Sequence, residues 1–261
     1  MAEWQGVFGE LDGRSGSFRP SPVAGSDGSF CELLSSGPLY VGTPSMAALV
    51  QGALALAQEQ YAVAPNASLE SHWSCKVDSV SYDAFAADGR WALACSDGRT
   101  HHCDAVVCAG HAAAFAAKVA GRLPADLKEG CDLGPGLDSA LEAVSYPQGV
   151  APLYALMVAF PAPLGDIAPF DGAAVQGSED LVWISRDSSK PGRARPEGAE
   201  LWVALSSESF ARKMRAQPSW SRRPTEQHLQ EAARGLLDAM AAALRAELPE
   251  PVYLHAQRWA C

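Results

Sequence analysis

Two Asp-Gly pairs, Asp88-Gly89 and Asp97-Gly98, punctuate three strand-like runs between Val77 and Ala109. A tight Asp-Gly turn takes positive φ values that suit the twist of two antiparallel strands, so each pair marks a hairpin. Val77 to Phe85 forms the first run. In the second, Trp91, Leu93 and Cys95 alternate with smaller residues, and Cys103 to Ala109 is almost continuously apolar. The spacing predicts a three-stranded antiparallel meander over residues 77–109. Its last strand is apolar on both faces and is expected to be buried. The chain leaves it at Ala109-Gly110, where backbone can approach another element closely. Ala112 to Val119 then reads as a short helix.

The flanking segments have other periods. Residues 12–38 are rich in Gly, Ser and Pro and read as a long loop. Residues 44–58 read as a helix, with Pro44 in its first turn and Met46, Leu49, Val50, Ala53, Leu54 and Ala57 on one stripe. In the second half, Leu153–Phe160, Leu181–Ile184 and Leu201–Leu205 are strand candidates, and Val252–Leu254 opens a last strand. A long helix is expected from about Thr225 to Leu248, with Thr225 as N-cap and Pro249 and Pro251 as its stop. Strands mixed with helices, and one meander, indicate a mixed α/β (α+β) chain.

Composition removes several classes of function. Thirty acidic residues against 20 basic ones give a net charge of −10. That opposes nucleic acid and anionic membrane surfaces as partners, because both attract positive chains. No apolar run reaches transmembrane length, and the first residues carry no secretory signal. Seven cysteines, an odd number without CxxC spacing, read as reduced thiols in an intracellular, cytoplasmic setting.

No metal site is expected. His101-His102-Cys103 looks ligand-like, but adjacent strand residues point to opposite faces. His72 and Cys75 are close in sequence, yet no second pair completes a set of four. The sequence contains no GxSxG, no GxxxxGK[ST] and no GxGxxG. What stands out is a basic loop after a strand candidate, Arg186-Asp187-Ser188-Ser189-Lys190-Pro191-Gly192-Arg193, which suits a carboxylate or phosphate. Trp183, Trp202, Trp220 and Trp259 concentrate in the second half. They read as core packing or as a flat wall for a planar ring. His255 and Arg258 sit beside Trp259 and are candidates to position a substrate.

The ordered strings YVGTPSMAALVQGALA, KVDSV, GRWAL, CDAVVCAG, LVWISRDSSKPGR, LWVALSS and HAQRWA resemble the renalase-like branch of the FAD-dependent amine-oxidase superfamily. The similarity runs over residues 39–259, and YVGTPSM and WISRDSSKPGR are its most specific parts. The resemblance implies a Rossmann-like part that holds FAD and a mixed-sheet part that closes the substrate side. Residues 1–38 would be a flexible leader, 39–122 a remnant of the FAD-binding part, and 123–261 the substrate part. Val77 would lie against the adenine of FAD, with Ala109 and Gly110 near the cofactor. Trp183, Arg186, Lys190, His255, Arg258 and Trp259 would border the substrate. The implied reaction passes a hydride from a small molecule or a nicotinamide dinucleotide to the flavin, which O2 re-oxidises with release of H2O2.

The chain also departs from the family pattern. The match starts after the position of the usual GxGxxG segment and stops before the usual Gly-Asp segment that contacts the flavin. The usual His-Arg-Trp is Gln257-Arg258-Trp259, with His255 two places earlier, a shift that keeps the same strand face. A shortened flavoenzyme, or a non-catalytic binding module derived from one, is therefore expected.

Overall fold

The computed structural model describes residues 1–20, 39–62, 68–82, 91–107, 153–195, 198–221 and 223–259. The chain divides into two units, one made of Met1–Ala67 with Ala151–Ala260 and the other of Ser68–Val150.

In the first unit, β1 (Ala2–Glu3) pairs with β4 (Tyr40–Val41) as a small ribbon. The principal sheet has seven strands: β2 (Phe8–Asp12), β3 (Phe18–Pro20), β8 (Leu153–Phe160), β9 (Gly172–Gln176), β10 (Leu181–Arg186), β11 (Glu200–Ser206) and β12 (Tyr253–Trp259). Their spatial order is β12-β8-β11-β10-β9-β2-β3, antiparallel throughout except where β2 runs parallel to β9. Strand β11 shows how burial follows the pleat, since every second residue from Glu200 to Ser206 is buried. Helix α1 spans Met46–Ala62, α2 Glu208–Arg215 and α3 Glu226–Leu244.

Helix α3 forms as expected. The Thr225 hydroxyl accepts from the His228 N–H at 3.2 Å, and Leu229, Ala232, Ala233, Leu236, Met240 and Leu244 make one buried stripe. The helix stops earlier than its prolines suggest, because Arg245 turns into the left-handed region at φ 55°. The stripe packs on Tyr154, Leu156, Val158, Trp202, Ala204 and Ala256, all on one face of the sheet.

The second unit contains β5 (Val77–Tyr82), β6 (Trp91–Cys95) and β7 (Thr100–Cys103), an antiparallel meander in the order β5-β6-β7. Gly98 has φ +83°, as the Asp97-Gly98 turn requires.

Several expectations are corrected. The third meander strand is Thr100–Cys103 rather than Cys103–Ala109. Ala105 to Val107 form no strand, and Val107 is 91% exposed. An apolar run becomes a buried strand only where neighbours cover both faces, and the described residues supply none there. Phe18–Pro20, inside the expected loop, pair with β2. The apolar stripe of α1 does not enter the core: Met46 and Val50 are more than half exposed. Ala109, Gly110 and the expected helix over 112–119 lie outside the described residues.

Candidate functional site: two ends and two faces of one sheet

Strand register decides which of the expected site residues share a surface. Trp183 stands opposite Leu205, Leu205 opposite Ala155, and Ala155 opposite Gln257. One row on, Ser185, Val203, Met157 and His255 align. Cross-strand partners point the same way, so Trp183, His255 and Trp259 share the face turned away from α3. Arg186 and Arg258 belong to the α3 face. Arg186 aligns with Trp202, Val158 and Leu254, four positions from Arg258, which is about 13 Å along the strands. The six expected substrate residues therefore do not form one cluster.

On the face away from α3, an aromatic row extends from Trp183. Gly172 lacks the Cβ that would come within 2.9 Å of the Trp183 ring and 3.1 Å of the Phe8 ring, so both rings lie over its backbone. Phe8 meets Trp4 edge to face, with ring centroids 4.9 Å apart. The Lys190 ammonium lies 4.9 Å from the Trp4 ring centre. The Trp4 indole N–H donates to Ser189 Oγ at 3.0 Å, and that hydroxyl donates to the Arg186 carbonyl at 2.9 Å. These bonds fix the basic loop against the row. Within the loop, one Asp187 carboxylate oxygen accepts from Lys190 at 2.8 Å and from Arg193 at 2.7 Å. Two cations thus share one anion, and Arg193 Nε is buried without a hydrogen-bond partner. Trp4 and Trp183 are themselves only 7% and 6% exposed, so the row packs beneath the basic loop, and the loop's excess positive charge is what it offers to an anion.

Arg186, by contrast, is committed inside the protein. It donates to Asp171 at 3.2 and 2.9 Å and to Glu200 at 3.0 Å. Glu200 is buried and also accepts from Leu164 N at 2.8 Å and Trp202 Nε1 at 2.9 Å. The basic residue that opens the loop is a tie between strands.

At the other end of the α3 face, Arg258 belongs to a polar chain that sequence reasoning missed. Tyr154 Oη and His228 Nε2 are 2.6 Å apart, and His228 Nδ1 and Ser219 Oγ 3.1 Å. Ser219 donates to the Glu231 carboxylate, which can only accept. His228 Nδ1 then donates to Ser219, and Nε2 accepts from Tyr154, so the ring is neutral. Burial, followed by the nearby Arg258 charge, holds the His228 pKa below its usual value. Burial likewise raises Tyr154, with Arg258 opposing. Arg258 also donates to the Ser221 carbonyl at 2.8 Å and lies 5.8 Å from the Trp220 ring centre. His255 and Trp259 sit on edge strand β12 away from this chain, and Trp259 is 59% exposed.

In the second unit, Val77 opens β5 opposite Cys95 and is partly buried. Of the expected FAD contacts it alone is described. The described residues form no glycine-rich phosphate cradle, and the N-caps of α2 and α3 already use their first-turn N–H groups on Ser207 and Thr225. No step through a flavin is derived from the described residues.

The same unit revises the expectation of no metal ligands. Cys75, Cys95 and His101 each bring a donor atom within 4.8 Å of the others. His101 contributes without its neighbour His102, which strand alternation turns to the opposite face. The Cys75 thiol is pushed up to about 11 by its hydrogen bond with Cys95, by burial and by the Asp97 charge. Asp97 is held down at about 2 by Arg99.

Residues 32–260 match the family described as flavin containing amine oxidoreductase. Among solved structures, a candidate protoporphyrinogen oxidase from Exiguobacterium sp. 255-15 is 15% identical, with TM-score 0.42 over 70% of this chain and 34% of that one. A putrescine oxidase redesigned in its cofactor binding is 11% identical, with TM-score 0.45 over 70% and 33%. An oxidoreductase from Methanosarcina mazei is 14% identical, with TM-score 0.39 over 69% and 36%. The chain spans about a third of the length of these structures.

Proposed function

The chain belongs to the flavin-containing amine oxidoreductase family, and from that premise we propose that it supplies the substrate wall of a renalase-like, FAD-dependent oxidoreductase. The proposed reaction moves a hydride from the substrate to the flavin and returns the electrons to O2 as H2O2. Residues 39–122 take the flavin-side, Rossmann-like role in this reading and 123–261 the substrate-side role. Val77, Ala109 and Gly110 are the proposed cofactor contacts. A reduced nicotinamide dinucleotide is the proposed substrate, because it joins a flat ring to phosphate groups.

One observation supports the reading: Lys190 and Arg193 share the single Asp187 carboxylate in the loop that caps the buried Trp4 ring, which leaves one cation in excess for an anionic substrate. Trp183 and Lys190 are the proposed substrate contacts, with His255 and Trp259 further along the same sheet face. Arg186 and Arg258 take positioning roles through the α3 face.

The test titrates the chain with a reduced nicotinamide dinucleotide, with and without added FAD, and reads tryptophan fluorescence, flavin absorbance and peroxide release. Lys190→Ala is expected to weaken nucleotide binding by about 10- to 100-fold, the worth of one charge-assisted hydrogen bond. Absence of nucleotide binding in the folded chain, or binding unchanged in Lys190→Ala, overturns the assignment of this face.

A second reading is a non-catalytic binding module derived from the same family, which keeps a nucleotide-binding surface without the redox step. It predicts nucleotide binding by a colourless chain that retains no added FAD. A retained flavin band with peroxide release excludes it.

A further inference from the structure

We propose that Cys75, Cys95 and His101 form a zinc site in the second unit. The three donor atoms lie within 4.8 Å of one another, close to the separation of tetrahedral ligands around one ion. The hairpin builds the set. Cys95 N donates to Arg99 O at 2.8 Å and Gly98 N to Cys95 O at 3.0 Å, which puts Cys95 at the root of the β6–β7 turn. His101 stands opposite Leu93, two residues from Cys95 on the same face. Cys75 is brought alongside by Ser74, which takes a left-handed φ of 57°, and by the bond from Ser96 N to the Lys76 carbonyl at 2.8 Å.

A second observation points to a ligand. His101 Nε2 is buried and has no hydrogen-bond partner. A buried polar atom left unpaired is costly, and coordination through Nε2 relieves that cost. The groups around the set also have defined places. The His72 ring packs on His101 with centroids 4.6 Å apart. Its Nδ1 bonds Arg99 at 3.1 Å, and its Nε2 lies 3.5 Å from Glu70. Arg99 in turn holds Asp97 at 2.6 Å. His72 is thereby a positioning residue. The fourth corner of a tetrahedron falls to water or to the Asp97 carboxylate, which faces Cys75. Two sulfurs and an imidazole favour zinc, a d10 ion without geometric demands of its own. Binding releases both thiol protons to solvent, and each cysteine enters as a thiolate.

The experiment loads the full chain with zinc under reducing conditions, removes the excess and counts bound metal by mass spectrometry. Thiol alkylation is then mapped residue by residue with and without zinc, and cobalt substitution supplies a thiolate-to-metal absorption band. The expected result is one zinc per chain, with Cys75 and Cys95 shielded from alkylation and Cys103 unaffected. His101→Ala and Cys95→Ser should each weaken zinc binding by more than the 10- to 100-fold typical of outer-shell changes. The alkylation map uses the unaltered chain, so it holds even if a variant misfolds. Three results overturn the proposal: a folded chain without bound zinc, zinc retained after both cysteines are replaced, or a Cys75–Cys95 disulfide in place of the metal.

Discussion

The seven-stranded sheet and the three-stranded meander are built from similar strands but held by different means. The sheet buries Trp202, Tyr154 and Phe160 fully in one core with Leu236 and Met240 of α3, so removal of apolar surface from water dominates its stability. In the described meander only Val80 and Cys95 are buried hydrophobics. Three strands with so little covered surface are marginal on burial alone. The polar cluster at the base of its hairpin therefore matters more there than any comparable cluster in the sheet. A small core needs a staple; a large one tolerates polar inclusions such as the His228 chain.

The largest expected effect tests the sheet side of this contrast. Trp202→Ala should cost about 3–5 kcal/mol, from lost burial plus an unfilled cavity, and should appear as a lower urea midpoint at unchanged slope. A loss under about 1 kcal/mol would mean that the sheet does not depend on its core as argued. Tyr154→Phe removes the donor to His228 Nε2 and leaves a buried acceptor unsatisfied, at a cost of about 1–3 kcal/mol. A neutral outcome would show that water or Arg258 fills the role.

The third prediction concerns pH. The folded His228 pKa lies below the unfolded value of 6.5, so the unfolded chain binds the extra proton first. Stability should be level above that value and should fall as pH drops through 6.5 towards the folded pKa. Thermal melts from pH 8 to pH 5 read this slope, and His228→Gln should flatten it. The smallest effect belongs to the meander. Val80→Ala should loosen β5 locally by about 1–2 kcal/mol, read as roughly tenfold faster amide exchange in Val77–Tyr82. No change would place the stability of the meander entirely in its polar cluster.

Local patterns in the sequence located the elements whose signals are local. Leu153–Phe160, the strand from Leu181, the strand at 201–205, α3 with its Thr225 cap, and the Asp97-Gly98 hairpin all match. Strand β9 was invisible because GAAVQ lacks branched and aromatic residues, and Gly172 is there to admit two rings. Helix α2 is short and polar, so its pattern is weak. The site was legible as residue types rather than as an arrangement. Trp183 and Lys190 stand out by residue type, but Phe8 and Trp4, which lie between them, are distant in sequence. Arg186 reads as a free cation until Asp171 and Glu200 are seen to hold it. The Cys75, Cys95 and His101 cluster shows the same limit: spacing offers only His72 with Cys75 and no second pair, and Cys95 and His101 come alongside Cys75 through strand registers that spacing does not reveal.

The parallel pairing of β2 with β9 has a consequence for how the chain is made. Phe8 pairs with Gly172, roughly 160 residues further along. At typical synthesis rates of about 5–20 residues per second, β2 emerges roughly 10–30 s before its partner exists. During that interval Phe8 and Leu11 have no sheet to join, and closing so long a loop is slow once β9 appears. Of the seven strands, the β2–β3 hairpin therefore waits longest for its neighbour in the sheet, and nascent chains should be open to chaperones and to misassociation while it waits.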